Sequence, residues 1–110
     1  MFLKSDISWA NIVEEYTNNP RDVITIPTDD ARDGIWFYVH TEKGNVYITD
    51  AEFHTESSRV SNPIKLQEKH FEDMLSLYRR RKNGESISQE AKNVSFQQVY
   101  WYGIFADLGI

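Results

Sequence analysis

The segment "IWFYVHTEKGNVYITDAEF", residues 35–53, decides the fold of this chain. Two runs of aromatic and β-branched residues flank the polar, glycine-containing stretch TEKG, and this pattern predicts an antiparallel hairpin. With the turn centred on Lys43-Gly44, one face carries four apolar residues: Phe37, Val39, Val46 and Ile48. The opposite face carries three aromatic residues: Trp36, Tyr38 and Tyr47. Because both faces are bulky and apolar, we expect helices to cover one face and a loop or a partner to cover part of the other.

Upstream of the hairpin, the sequence predicts a helix and one more strand. In SDISWANIVEEYTNNP, residues 5–20, four apolar residues recur at helical spacing: Trp9, Ile12, Val13 and Tyr16. We expect Ser5 or Asp6 to cap this helix, and Asn18-Asn19-Pro20 to end it. DVITIP, residues 22–27, is rich in β-branched residues and predicts a short strand that ends at a proline.

Downstream of the hairpin, the pattern predicts an edge strand and then three helices. SRVSNPIKL, residues 58–66, is a candidate edge strand interrupted at Pro63. From Gln67, apolar residues recur at helical spacing until a cationic last turn and Gly84. The pairs Ser86/Gln89 and Ser95/Gln98 have capping-box spacing and predict the starts of two more helices. The chain, residues 1–110, is therefore predicted to be a single α+β domain: an N-terminal helix, a small antiparallel sheet built on a β-hairpin, and a C-terminal three-helix segment.

Composition excludes several classes of protein. The chain contains no cysteine, which rules out disulfide frameworks, catalytic thiolates and cysteine-based zinc sites. No apolar run approaches the roughly 20 residues that span a bilayer, and the N-terminal MFLKSDISW lacks the apolar core of a signal peptide. We therefore expect a cytoplasmic protein without a membrane partner, and no motif indicates a cofactor.

Charge is unevenly distributed along the chain. The net charge is -5, with 4 basic and 11 acidic residues in positions 1–58, but 8 basic and 6 acidic in positions 59–110. An acidic protein is a poor non-specific ligand for phosphates. One possibility is that the acidic half presents a negative surface to a basic partner, and the alternative is an ordinary solvated acidic surface. The carboxylates concerned are Asp29, Asp30, Asp33, Asp50, Glu52 and Glu56.

The segment EAKNVSFQQVYWY, residues 90–102, resembles the helix-turn-helix pattern of transcription regulators. It has an alanine inside the first helix, a small apolar residue before a serine, and a Val-Tyr pair in the second helix. The resemblance implies a nucleic-acid-binding regulator in which Gln97 and Gln98 contact base edges. Phosphate contacts would come from a basic run: Arg79, Arg80, Arg81 and Lys82. The alternative is that this run is a solvated helix end and that the last helix belongs to the core.

A second candidate site lies where the hairpin's outgoing strand continues. Asp50, Glu52 and His54 alternate, so a straight strand would point all three side chains the same way. With Asp29, Asp30 or Asp33 nearby, such a set can hold a divalent cation, as in a metal-dependent nuclease-like enzyme. Alternating polar residues on a solvent-facing strand explain the same spacing without any function.

The leading hypothesis is a non-catalytic binding or regulatory module. It contacts a macromolecular partner, either another protein or a second copy of the chain, through the hairpin aromatics and the C-terminal helices. Trp101 and Tyr102 are contact candidates, because the aromatic residues of the last helix cover more than one helical face. Whether these two side chains are buried within the chain decides between a core helix and a contact helix.

Overall fold

The computed structural model describes residues 7–27, 33–95 and 97–110. The elements in chain order are α1 (Trp9–Asn18), β1 (Arg21–Ile24), β2 (Trp36–Glu42), β3 (Asn45–Asp50), β4 (Ile64–Lys65), α2 (Phe71–Lys82), α3 (Ser88–Val94) and α4 (Gln98–Asp107). A 3₁₀ turn at Glu68–His70 leads into α2. This arrangement confirms the predicted α+β class, with its N-terminal helix, hairpin-built sheet and C-terminal helices. No helix within the described ranges is long and apolar enough to cross a membrane.

The four strands form an antiparallel sheet in the order β1-β2-β3-β4. Val39 lies opposite Ile48, and Lys43-Gly44 forms the turn between β2 and β3, as predicted. Both turn residues have positive φ, 51° and 80°, which a two-residue hairpin turn requires and which glycine adopts most easily. The predicted division of the hairpin into two faces is also confirmed. Four residues of the inner face are fully buried, namely Phe37, Val39, Val46 and Ile48, whereas Trp36, Tyr38 and Tyr47 are half-buried on the outer face.

The helices pack on the inner face and share one hydrophobic core with it. The predicted stripe of α1 is confirmed, because Ile12 and Tyr16 are fully buried, with Trp9 and Val13 packed at the margin. The ring of Tyr100 in α4 meets Phe37 edge-on, with centroids 4.9 Å apart. The α4 helix therefore lies against the sheet.

The predicted caps of α1, α3 and α4 differ from those in the structure. Ser8 caps α1 in a reciprocal pair with Asn11, whereas Ser5 and Asp6, the predicted caps, lie outside the described residues. The capping box predicted at Ser86 is wrong: α3 begins at Ser88, after Ile87, and has no side-chain cap. Ile87 is buried, and burying an isoleucine contributes about 1.5–3 kcal/mol against about 1 kcal/mol for a cap. Core packing therefore decides where α3 starts.

The capping box predicted from Ser95 and Gln98 is also wrong. The α4 helix begins at Gln98, and its preceding residue Gln97 provides no side-chain cap. Ser95 instead ends α3, and its Oγ accepts a hydrogen bond from the Gln97 N–H at 3.0 Å. The Ser95 hydroxyl therefore satisfies a backbone amide in the turn between α3 and α4.

The end of α2 lies close to the prediction, whereas β1 ends early and β4 is much shorter than the predicted edge strand at residues 58–66. Gly84 has a φ of +92° just after α2, which fits the predicted left-handed end of that helix. The β1 strand ends at Ile24, earlier than the predicted Pro27, and β4 consists of the two residues that follow Pro63.

Candidate partner-binding site

A buried carboxylate on β1 organises the segment after β3. Asp22 has a side chain that is 1% exposed. Its Oδ1 accepts a 2.8 Å hydrogen bond from the Glu52 N–H, and its Oδ2 accepts one of the same length from the Phe53 N–H. Nδ1 of His54 also lies 2.8 Å from Oδ2. One side chain of β1 therefore holds residues 51–58, the segment called the anchored loop below.

The protonation equilibrium of Asp22 reflects these bonds. Burial alone would raise the pKa of this carboxyl, but the hydrogen bonds from the Glu52 N–H, His54 and the Phe53 N–H outweigh burial and hold the pKa below its usual value. A buried carboxylate is tolerated when its oxygens are satisfied by donors, and bonds to an ionised acceptor are the stronger kind. Asp22 is thus charged in the folded protein, and its charge stabilises the loop.

Further contacts fix the anchored loop at its far end. The Trp36 N–H donates to the Glu56 carbonyl at 2.9 Å, and the Ser58 N–H donates to the Trp36 carbonyl at 2.7 Å. The His54 ring stacks on the Trp36 ring with centroids 3.6 Å apart and planes 9° from parallel. The loop therefore covers part of the outer face of the sheet. The sequence predicted that either a loop or a partner would cover this face in part.

The anchored loop presents an exposed aromatic side chain. Phe53 is 80% exposed. The other large apolar side chains exposed in the described ranges are Ile24 and Ile35, at 42% and 39%. Strand register brings all three to one end of the sheet, because Ile24 lies opposite Trp36, and Phe37 lies opposite Asp50. Exposed large apolar side chains in one region of a protein are candidates for an interaction site.

The segments that carry these apolar residues also carry exposed carboxylates. Four exposed acidic residues belong to the same end of the sheet: Asp33, Asp50, Glu52 and Glu56. Arg59 is the basic residue that lines a groove of about 650 Å³ there, together with Ile35, Asp50 and Glu56. The predicted carboxylates Asp29 and Asp30 lie outside the described residues. The acidic end, as the term is used below, consists of Phe53, Ile24, Ile35 and the four exposed carboxylates Asp33, Asp50, Glu52 and Glu56.

The structure separates the three residues of the predicted metal site. The premise of a straight strand is wrong, since β3 ends at Asp50 and Asp22 draws the amides of Glu52 and Phe53 away from the sheet ladder. Oδ1 of Asp50 accepts the Val60 N–H at 2.7 Å, whereas His54 lies against Asp22. No group of three or more histidine, aspartate or glutamate side chains is placed to hold a metal ion among the residues that the structure describes.

The predicted contact residues of the last helix lie inside the molecule. Trp101 and Tyr102 are fully buried, and Gln98 is 6% exposed, whereas Gln97 is half-buried. The Trp101 ring contacts Trp9, with centroids 5.8 Å apart. The α4 helix therefore packs between other elements: Trp101, Tyr102 and Phe105 are enclosed, and Tyr100 is half-buried.

The basic run of α2 is engaged by groups of the same chain. Arg80 pairs with Glu90 at 2.7 Å and with Glu85 at 3.1 Å. Arg81 donates to the Pro27 carbonyl at 2.8 Å, and Lys82 donates to the Ile110 carbonyl at 2.9 Å. Arg79 is half-buried. These contacts compete with any phosphate for the same charges.

Sequence reasoning missed the residues that organise the acidic end. The sequence pattern places Phe53 in the hairpin's outgoing strand and gives Asp22 no role beyond the short strand that it begins. The available signal was a charged residue beside Val23 and Ile24 in a strand otherwise rich in β-branched residues.

No protein-family model, curated protein or solved structure matches the chain.

Proposed function

We propose that this protein is a non-catalytic binding module that contacts a basic surface of another protein through its acidic end. The observation that carries the proposal is Phe53, an aromatic side chain 80% exposed on a loop that a buried carboxylate holds in place. Ordering a residue costs about 1–2 kcal/mol, and here folding has already met that cost. Docking such a side chain into an apolar pocket contributes about 1.5–3 kcal/mol, which is the size of an interface hot spot.

The charge around Phe53 supports a basic partner. Exposed carboxylates at Asp33, Asp50, Glu52 and Glu56 repel phosphates, so this end of the sheet is unsuited to a nucleic acid. The same charges accelerate the approach of a protein that carries lysine and arginine around an apolar pocket, and they disfavour acidic competitors. Complex formation should therefore weaken as salt concentration rises.

Site-directed photocrosslinking tests the proposal. A benzoylphenylalanine replaces Phe53 in one sample and Gln89, an exposed residue of α3, in the matched control. In a native lysate, we expect crosslinks to a protein with a basic surface from position 53 and not from position 89. Excess unlabelled wild-type protein should suppress these crosslinks, and the Phe53→Ser variant should fail to do so.

Two outcomes would contradict the proposal. The first is the same crosslinked products from positions 53 and 89, which would indicate random collisions. The second is a product made of two copies of this chain, which would replace the basic partner by self-association.

A further inference from the structure

A groove crosses the outer face of the sheet beside the anchored loop. Its volume is about 430 Å³, and its lining includes Tyr38, His40, Asp50, Glu52 and Pro63. Glu52 is also the first residue that Asp22 holds by its backbone N–H. The groove, called the outer groove below, is therefore continuous with the acidic end.

Aromatic rings form one wall of the outer groove. Tyr38 and His40 point to the same face of β2, and their rings stack at 5.7 Å and 28°. The His40 ring also stacks with Tyr47 of β3 at 5.8 Å and 25°. Tyr38 and His40 thus give the outer groove an aromatic wall, and Tyr47 lies beside His40 without lining the groove. An aromatic ring can stack with a planar group.

Carboxylates provide the charge of the outer groove. Asp50 and Glu52 are both exposed, and Tyr38 lies opposite Thr49, the residue that precedes Asp50. The lining residues that the structure describes include neither lysine nor arginine. The groove therefore combines two aromatic rings with two anionic groups that an incoming cation can pair with.

We propose that the outer groove binds an arginine side chain of the basic partner, an assignment that rests on the proposed function. A guanidinium is planar and weakly hydrated, stacks on aromatic faces and presents several N–H donors to carboxylates. Its plane lies along Tyr38 and His40, and its N–H groups face Asp50 and Glu52. A lysine ammonium matches the charge but has no planar group to stack on a ring, and it is more strongly hydrated. Phe53 and the outer groove then recognise an apolar pocket and an arginine on one partner surface.

The test is an NMR titration of the isotope-labelled full chain with N-acetyl-argininamide at low salt. We expect saturable shifts of the Tyr38, Asp50 and Glu52 amides, with a dissociation constant on the order of 10 mM for a single stacked and paired side chain. N-acetyl-citrullinamide has almost the same shape without the charge and should shift these amides little. N-acetyl-lysinamide should bind at least about threefold more weakly than the arginine compound.

Two exposed carboxylates supply a matched pair of variants. Glu52→Gln should weaken argininamide binding about threefold, whereas Glu72→Gln removes the same charge from α2, outside this groove and outside the acidic end, and should leave it unchanged. Tyr38→Leu should weaken binding to a similar extent by removing the ring.

Several outcomes would overturn the assignment. They are equal shifts with the citrulline compound, equal affinity for the lysine compound, equal weakening by both glutamine variants, or the absence of saturable shifts. None of them affects crosslinking at Phe53, so failure of the arginine site and failure of the proposed function are distinguishable.

Discussion

Replacing Asp22 with alanine tests whether this residue organises the candidate site. The substitution removes the acceptor of the Glu52 and Phe53 amides, both at 2.8 Å, and the partner of His54. We expect Asp22→Ala to remain folded but to lose stability and to release the anchored loop. The loss in free energy of binding to the proposed partner should then exceed the loss in the free energy of unfolding.

The magnitude follows from the bonds that are lost. A hydrogen bond to a charged acceptor contributes about 1.5–3 kcal/mol, and two such bonds involve backbone amides. Part of this is offset, because the desolvation cost of a carboxylate that is 1% exposed disappears with it. Water also reaches the freed amides when the loop opens. The net loss in the free energy of unfolding should be about 2–3 kcal/mol, which for a domain of this size lowers Tm by about 10 °C.

Urea denaturation measures the stability, and amide hydrogen exchange at Glu52 and Phe53 reports on the loop. The matched control is Asp50→Ala, in which an exposed carboxylate loses one backbone bond to Val60 and should cost less than about 1 kcal/mol. A loss below about 0.5 kcal/mol in Asp22→Ala, or unchanged exchange of the two amides, would refute the anchoring role.

Three other predictions concern pH, helix packing and the exposed aromatic residue. The folded pKa of Asp22 lies below its unfolded value, so the stabilisation from this carboxylate is complete above about pH 4 and is lost as pH falls through the folded pKa. Urea denaturation from about pH 6 to pH 2 should show this loss of stability in the wild type and a smaller loss in Asp22→Asn. In Gly103→Ala, the new Cβ would lie 2.5 Å from the Ile24 carbonyl oxygen and 3.2 Å from the Phe37 ring. The free energy of unfolding should therefore fall by about 1–3 kcal/mol, despite the better helix propensity of alanine. A variant as stable as the wild type would contradict the packing of α4 on β1. Phe53→Ser should change the free energy of unfolding by less than about 0.5 kcal/mol, because the side chain is 80% exposed. The same variant should weaken partner capture by at least about tenfold. Equal capture by the variant and the wild type would argue against Phe53 as the anchor.

The hairpin shows how far local pattern extends. Alternating side chains and the Lys43-Gly44 turn are properties of neighbouring residues, so the register and the division into two faces were predictable. The capping boxes at Ser86 and Ser95 are local patterns too, but they predicted the wrong helix starts. Each contributes about 1 kcal/mol, and the burial of Ile87 is the larger effect at the start of α3.

The resemblance of residues 90–102 to a helix-turn-helix segment shows the limit of a short motif. A local pattern describes the order of helices but not which side of a helix meets the rest of the protein. In the structure, Trp101 and Tyr102 are buried against other elements, and the exposed side of α4 carries few groups suited to base contacts. The all-round apolar character of the helix already favoured a core position.

The order of the elements and the inner face of the sheet followed from residues close together in the chain, because hydrophobic periodicity and turn geometry act over a few residues. The candidate site did not. Asp22 binds residues 30 to 32 positions further along the chain, and Ile24, Ile35 and Phe53 belong to one end of the sheet only because the strands pair antiparallel. Burial of a carboxylate is favourable only where distant donors converge on it, and such convergence is a property of the tertiary structure.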